Sequence, residues 1–254
     1  MPRRFLRKIN HKLDFERYLL IGRDLTETWR PSEAFSTDRP LEVEIGSGKG
    51  LFMKNESVRN PNHNFLGIEI AHNYAAYCAL QLAKANEEQG VDNALMVSGD
   101  AVPLFTTNIP DGSLEAVHIY FPDPWWKKKH RKRRIINPVI VHNIYRTLRI
   151  GGKFHFWTDV EEYYQSALNV MRELSPLEGP FPVDETPATD TDDYRTHFEK
   201  RTRENGLPVF RCYFQKTDRT EALGTADSEP IPESQKVETV VIPFARTPNP
   251  AVQD

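Results

Sequence analysis

The feature that most narrows the fold of this chain is a short strand that runs into a glycine loop and restarts as a helix: LEVEI at 41–45, GSGKG at 46–50 and LFMKNESVRN at 51–60. The alternation then repeats. Residues 64–70 read as a second strand, and 71–89, rich in Ala and Leu and stopped by Gly90, as a crossover helix. Strands follow at 94–98 and 114–120. A helix is expected over 138–148, with Pro138 in its first turn and Gly151 and Gly152 at its end, then a strand at 153–158, a helix at 160–174 and a late strand at 208–215. Strands and helices at this spacing form βαβ units, so the chain is expected to be an α/β protein with a mainly parallel sheet and helices on both faces. Ligands of such sheets bind at the carboxyl ends of the strands.

With 254 residues, 39% of them hydrophobic, there is enough chain for one large α/β core. The expected division is a basic N-terminal arm and lead-in at 1–39, a catalytic domain at 40–216 and a Pro- and Glu-rich extension at 217–254. The extension reads as partly disordered, with VETVVIPFA a candidate edge strand; 179–193, rich in Pro, Thr and Asp, is expected to be a mobile loop. No apolar run approaches the ~18–20 residues of a membrane helix, and the N-terminus lacks the apolar centre of a secretory signal, so a cytoplasmic location without membrane contact is expected. Cys78 and Cys212 form no CxxC pair and read as ordinary buried thiols, and the eight histidines show no ligand spacing, so no metal is expected. A net charge of −3 argues against a nucleic-acid partner only on average. Arg3, Arg4, Arg7, Lys8 and Lys12 all precede the first acidic residue, Asp14, and 127–134 is an almost unbroken basic run, so an anionic polymer can find a basic face.

The loop Gly46-Ser47-Gly48-Lys49-Gly50 does not match a Walker loop, because Gly50 stands where Ser or Thr would hold magnesium, nor a GxGxxG dinucleotide loop, because Leu51 replaces the third glycine. Glu44, inside the preceding strand, is the distinguishing feature. A diphosphate site would exclude a carboxylate there, whereas the ammonium of a methionine moiety would be drawn to it. Glu69, at the end of the second strand, suits both hydroxyls of a ribose, and Asp100, just after the third, suits an adenine amino group. Each acid taken alone could be a surface or capping residue; together they trace a nucleoside without phosphate.

In IYFPDPWW at 119–126, two prolines fix the backbone around Asp123 and aromatic rings offer planes for a base. A carboxylate there can accept the N1–H and N2–H of a guanine in bidentate fashion. IYFPDPWWKKKHRKRR, with EIGSGKG, GIEI, GDA, WTDVEEY and THFEKR, resembles the tRNA (guanine-N7-)-methyltransferase family from about Phe5 to Gln215. The resemblance implies a Rossmann-like class I methyltransferase fold with a late antiparallel strand, S-adenosylmethionine as methyl donor and the variable-loop guanine 46 of tRNA as target. It further implies that Glu44, Gly46, Gly48, Glu69, Asp100 and Asp123 bind the cofactor, with Asp123 catalytic. Lys127, Asp159, Thr196 and Glu199 would bind substrate, and Lys129, His130, Arg131, Lys132, Arg133 and Arg134 would contact RNA. Trp126 and the tail receive no role.

Guanine N7 carries an in-plane lone pair and no proton, so methyl transfer there needs no general base, and Asp123 is expected to orient the base and stabilise the charge appearing on it. The basic run could instead be a solvated loop, and Thr196 with Glu199 has the Thr-x-x-Glu spacing of a capping box. Two rival functions remain at this stage: a methyltransferase of the same fold with another substrate, which the PDPW and basic-run combination disfavours, and a silent RNA binder, which has no chemical need for four such carboxylates. No motif requires a second subunit or an obligatory protein partner, so a monomer is expected.

Overall fold

Residues 41–45 alternate Leu, Val and Ile with two glutamates, yet four of the five are buried, because helices cover both faces of the sheet they enter. The computed structural model describes residues 13–218. Its strands are β1 (Leu19–Ile21), β2 (Leu41–Ile45), β3 (Asn64–Glu69), β4 (Ala94–Ser98), β5 (Leu114–Tyr120), β6 (Leu148–Thr158), β7 (Glu178–Pro182) and β8 (Phe210–Gln215). The α-helices are α1 (Leu51–Arg59), α2 (His72–Gln89), α3 (Ala101–Thr107), α4 (Pro138–Thr147), α5 (Glu161–Leu174) and α6 (His197–Glu204). One sheet runs β1-β4-β3-β2-β5-β6-β8-β7. β1 to β6 are parallel, and β8 lies antiparallel between β6 and β7.

The chain builds outward from β2 through β3 and β4, then crosses back to lay β5 on the other side of β2. That reversal opens a crevice at the carboxyl ends of β2 and β5, the place where open α/β sheets hold ligands. Register makes it specific: Glu44 lies opposite Gly67 on one side and His118 on the other, so the glycine loop, Glu69 and Tyr120 reach one edge together. Beneath it, Phe52, Phe65, Phe105, Phe154, Phe156 and Phe214 are fully buried, as are Cys78 and Cys212. Gly90 ends α2 in a left-handed conformation, and Asn137 caps α4 by accepting from the N–H groups of Val139 and Ile140 ahead of which Pro138 sits in the first turn.

The α4–β6 boundary differs from expectation. The helix stops at Thr147, and Leu148 is already extended and paired with Leu114. Gly151 and Gly152 therefore lie inside the strand, at an irregularity between Leu148 and Lys153 where a Cβ on Gly152 would come within 2.9–3.1 Å of three carbonyl oxygens. Burial of Thr147 and Leu148 at 0% exposure outweighs the glycine signal four residues later. The expected loop at 179–193 also begins as a strand: β7 pairs with β8, with Phe181 opposite Tyr213, and its prolines are tolerated because it is an edge. In the lead-in, Leu19–Ile21 forms β1 against β4. The basic residues Arg3 to Lys12 and VETVVIPFA lie outside the described residues. Among the described residues no helix is long and apolar enough to cross a membrane.

Candidate active site

Five acids stand at the carboxyl edge of five neighbouring strands, in the spatial order Asp100 after β4, Glu69 ending β3, Glu44 in β2, Asp123 after β5 and Asp159 after β6. The Glu69 carboxylate is held from both sides, accepting the Gly48 N–H at 3.0 Å and the Ala71 N–H at 2.8 Å. Each oxygen keeps a lone pair, which is what two ribose hydroxyls require. Asp100 caps α3 by accepting the Val102 N–H at 2.9 Å, so its capping role is real whatever else it does. It also borders a cleft of about 720 Å³ lined by Ile21, Gly22, His72, Ser98 and Asn108, which gives the nucleoside end of the row open space.

Glu44 is different. It is only 3% exposed, and its Oε2 has no hydrogen-bond partner. Burial pushes its carboxyl up to about 8; the Ser47 hydroxyl opposes that and the nearby Glu69 charge adds to it. A buried carboxylate oxygen left unmatched is costly unless a donor arrives. An ammonium group is the donor that suits it, so the residues present fit the amino-acid end of S-adenosylmethionine. The loop above is open as well: Gly46 and Gly48 have φ of 83° and 53°, and a Cβ on Gly46 would meet nothing within 4 Å.

Across the crevice, Phe121 and Trp125 have φ of 50° and 47°, left-handed values that cost side-chain-bearing residues on the order of 1 kcal/mol or more each. They bracket Pro122-Asp123-Pro124 and are held by packing. Phe121 donates its N–H to Trp157 O at 2.8 Å and stacks on Phe198 of α6 with centroids 6.2 Å apart, while the Arg133 guanidinium lies 5.1 Å over the Trp125 ring. Strained backbone kept in place by its surroundings, with an exposed carboxylate at its centre, makes this segment a candidate ligand site. Lys127 follows, exposed, and Lys128–Arg133 forms a 3₁₀ turn of mostly exposed cations.

Arg134 does not share that surface. Its side chain is 6% exposed, paired with Glu162 at 2.5 Å, donating to Pro124 O at 2.9 Å and lying over Tyr163 at 4.5 Å. It anchors the PDPW segment from below, so the cationic face ends at Arg133. Thr196 caps α6 by accepting the Glu199 N–H at 3.0 Å, and Glu199, 3% exposed, accepts the Arg195 N–H at 2.7 Å and pairs with Arg203 and Arg211. Asp159 is exposed directly after β6.

The segment before α6 is tied to α1. Asp192 accepts from Lys54 at 3.2 Å, its carbonyl accepts from Asn55 at 3.0 Å and from Arg59, and Arg195 reaches Glu56 at 3.5 Å. No spacing in the sequence marks Asp192 or Arg195, and Phe198 is visible there only as part of the THFEKR stretch; their contacts with α1 and with Phe121 arise from packing.

The Methyltransf_4 family model, described as "Putative methyltransferase", matches residues 38–212. A tRNA (guanine-N(7)-)-methyltransferase of Rhodopirellula baltica is 47% identical over 222 residues, covering 85% of this chain and 80% of that protein. One of Cronobacter sakazakii is 37% identical over 180 residues, covering 71% and 74%. Among solved structures, "Structure of an Antibiotic Related Methyltransferase" aligns with a TM-score of 0.50 at 17% identity over 70% of this chain and 88% of that one, a likeness of fold. Given a match to the family model over most of its length and relatives this similar across most of theirs, the chain belongs to the tRNA (guanine-N(7)-)-methyltransferase family.

Proposed function

We propose that this protein transfers the methyl group of S-adenosylmethionine to N7 of a guanine in tRNA, and that guanine 46 of the variable loop is the target. The observation that carries the reading is the meeting, across the β2–β5 reversal, of the carboxylate row with the strained PDPW segment and its cationic turn. Residues 40–216 are the catalytic domain in this reading, with 1–39 leading in and 217–254 extending it. A tRNA-modifying enzyme works where its substrate is, so a cytoplasmic monomer acting on tRNA, without a membrane or an obligatory protein partner, is the assembly we infer.

Bound cofactor supplies a methyl group activated by a sulfonium. Glu44 takes its ammonium, Glu69 the ribose hydroxyls and Asp100 the adenine amino group, with Gly46 and Gly48 letting backbone come close. Asp123 accepts the N1–H and N2–H edge of guanine, which orients the base, and its fixed charge offsets the positive charge that methylation leaves there. Lys127, Asp159 and Thr196 complete the substrate side, with Glu199, buried and paired with Arg203 and Arg211, acting from beneath by holding the Arg195–Thr196 segment, and Lys129, His130, Arg131, Lys132 and Arg133 meet phosphates. The deciding experiment is methyl transfer from labelled S-adenosylmethionine to unmodified tRNA, with the nucleosides separated. Label in 7-methylguanosine, lost when guanine 46 is replaced, is expected; label in another nucleoside would overturn the target.

Glu44 gives a measurable linkage. With its carboxyl raised to about 8 from the ordinary 4.5, the free protein holds it protonated at pH 6–7, whereas an ammonium ligand needs it ionised. Binding of S-adenosylhomocysteine is therefore expected to release about one proton and to tighten up to ~10-fold per pH unit toward pH 8. By the same sign, ligand-free protein loses stability as pH rises from 4.5 to about 8. Calorimetry in buffers of different ionisation enthalpy reads the proton directly; a release of zero in wild type, or of one in Glu44→Gln, would refute the assignment.

A further inference from the structure

The amino-acid end of S-adenosylmethionine is a zwitterion, and the acids at the strand ends answer only its ammonium. We propose that Arg195 receives the α-carboxylate of the methionine moiety while Glu44 receives the ammonium. This deepens the cofactor reading above and rests on it.

Three observations point there. The Arg195 guanidinium lies 5.7 Å over the ring of Phe52 on α1 and 5.6 Å over that of Trp157 in β6, so it stands above the crevice where β2, β5 and β6 end. Its ion pair is a 3.5 Å contact with Glu56 Oε1, far longer than the ~2.7–2.9 Å of a good charge-assisted hydrogen bond, which leaves a planar fork of donors underused. Glu44 feels the Arg195 charge, yet among the described residues no ion pair joins them, and Glu44 Oε2 stays without a partner. A buried carboxyl group without a partner and an underused guanidinium, close enough to influence each other yet not joined in an ion pair, suit a ligand that carries both charges.

The sequence neighbours give the contact a consequence. Arg195 stands between Asp192, which is fastened to α1, and Thr196, which caps α6. A cofactor carboxylate on Arg195 therefore fixes the segment that leads into Thr196 and Glu199. Arg195 is thus assigned as a cofactor-binding residue that also orders the substrate side. The competing donors are the backbone N–H groups of the loop at the start of α1, and the test separates the two.

Full-length protein is titrated in a calorimeter with S-adenosylmethionine and with decarboxylated S-adenosylmethionine, which keeps the sulfonium and the ammonium but lacks the α-carboxylate. Wild type is expected to prefer the intact cofactor by roughly 30-fold, the scale of a charge-assisted bidentate contact. Arg195→Gln should weaken the intact cofactor by about that factor, leave the decarboxylated one within roughly 3-fold, and bring their ratio near one. Glu56→Gln, which removes the ion pair but keeps the guanidinium, should preserve the ratio. Equal weakening of both ligands by Arg195→Gln would mean that Arg195 only fastens the segment, and an unchanged ratio would hand the carboxylate to the loop; either overturns the inference while the cofactor reading stands. Binding of neither ligand by wild type would overturn both.

Discussion

Replacing Asp123 with alanine is expected to lower kcat for methyl transfer to tRNA by about 10³-fold, the scale of losing one preorganised electrostatic group from a transition state. The carboxylate is exposed, between two prolines and between two residues of left-handed φ, so folding should be almost untouched, with stability within about 0.5 kcal/mol of wild type. Binding of S-adenosylhomocysteine should persist, since Glu44 and Glu69 are unchanged. Asp123→Asn is the sharper variant. An amide can accept one guanine N–H but turns its own NH₂ donor toward the other, and it carries no charge, so the loss should approach that of alanine. Single-turnover rates with saturating tRNA measure both. Activity within a few-fold of wild type in either variant would remove Asp123 from the reaction.

The second large effect is on the fold. In Gly50→Ala, the new Cβ would lie 2.0 Å from Cys78 Sγ and 2.8 Å from Cys78 Cβ, at a residue whose φ is 75°. The left-handed conformation costs roughly 1–2 kcal/mol and overpacking of α1 against α2 roughly 1–3 more, giving a loss of about 2–5 kcal/mol. Thermal unfolding should fall by on the order of 10 °C. In a Cys78→Gly background both side-chain clashes disappear, leaving a 3.3 Å approach to the Cα of residue 78, and mainly the backbone cost, roughly 1–2 kcal/mol, should remain. Cys78→Ala should rescue less, because its Cβ stays 2.8 Å away. The same cost in both backgrounds would show that the helices do not meet as described. Because Gly50 begins α1, the helix that follows the cofactor loop and carries Phe52 and Glu56, this approach also sets where Arg195 finds its partners.

Much of this was legible in the chain because it depends on local pattern. Gly50 and Gly90 mark left-handed positions at helix ends, Asn137-Pro138 begins a helix by capping, and the strands at β2, β3, β4 and β5 are short apolar runs between punctuating residues. The acids could be picked out because each lies near the end of such a run or just after it. What failed did so for one kind of reason. Gly151 and Gly152 read as a helix stop, but pairing of Leu148 with Leu114 took the residues before them into β6. Gly179 to Pro182 read as loop, but β8 supplied an edge to pair with. Arg134 read as one more cation in a run, but the Tyr163 face and the Glu162 carboxylate turned it inward.

By itself, then, the sequence determined the alternation of strands and helices, the glycine loop, the three carboxylates Glu44, Glu69 and Asp100 in or just after strands, and the aromatic, proline-bound Asp123, since spacing along the chain is enough to specify them. The tertiary structure alone decided that β5 returns to the side of β2, which brings the strand bearing Glu44 and the strand leading to Asp123 side by side. It alone decided that Glu44 is stripped of water and partners, and that Arg195, some 150 residues further along, comes to stand near it. Burial and charge proximity are properties of the packed assembly. They arise when elements remote in sequence exclude water between them, and no window of residues contains them.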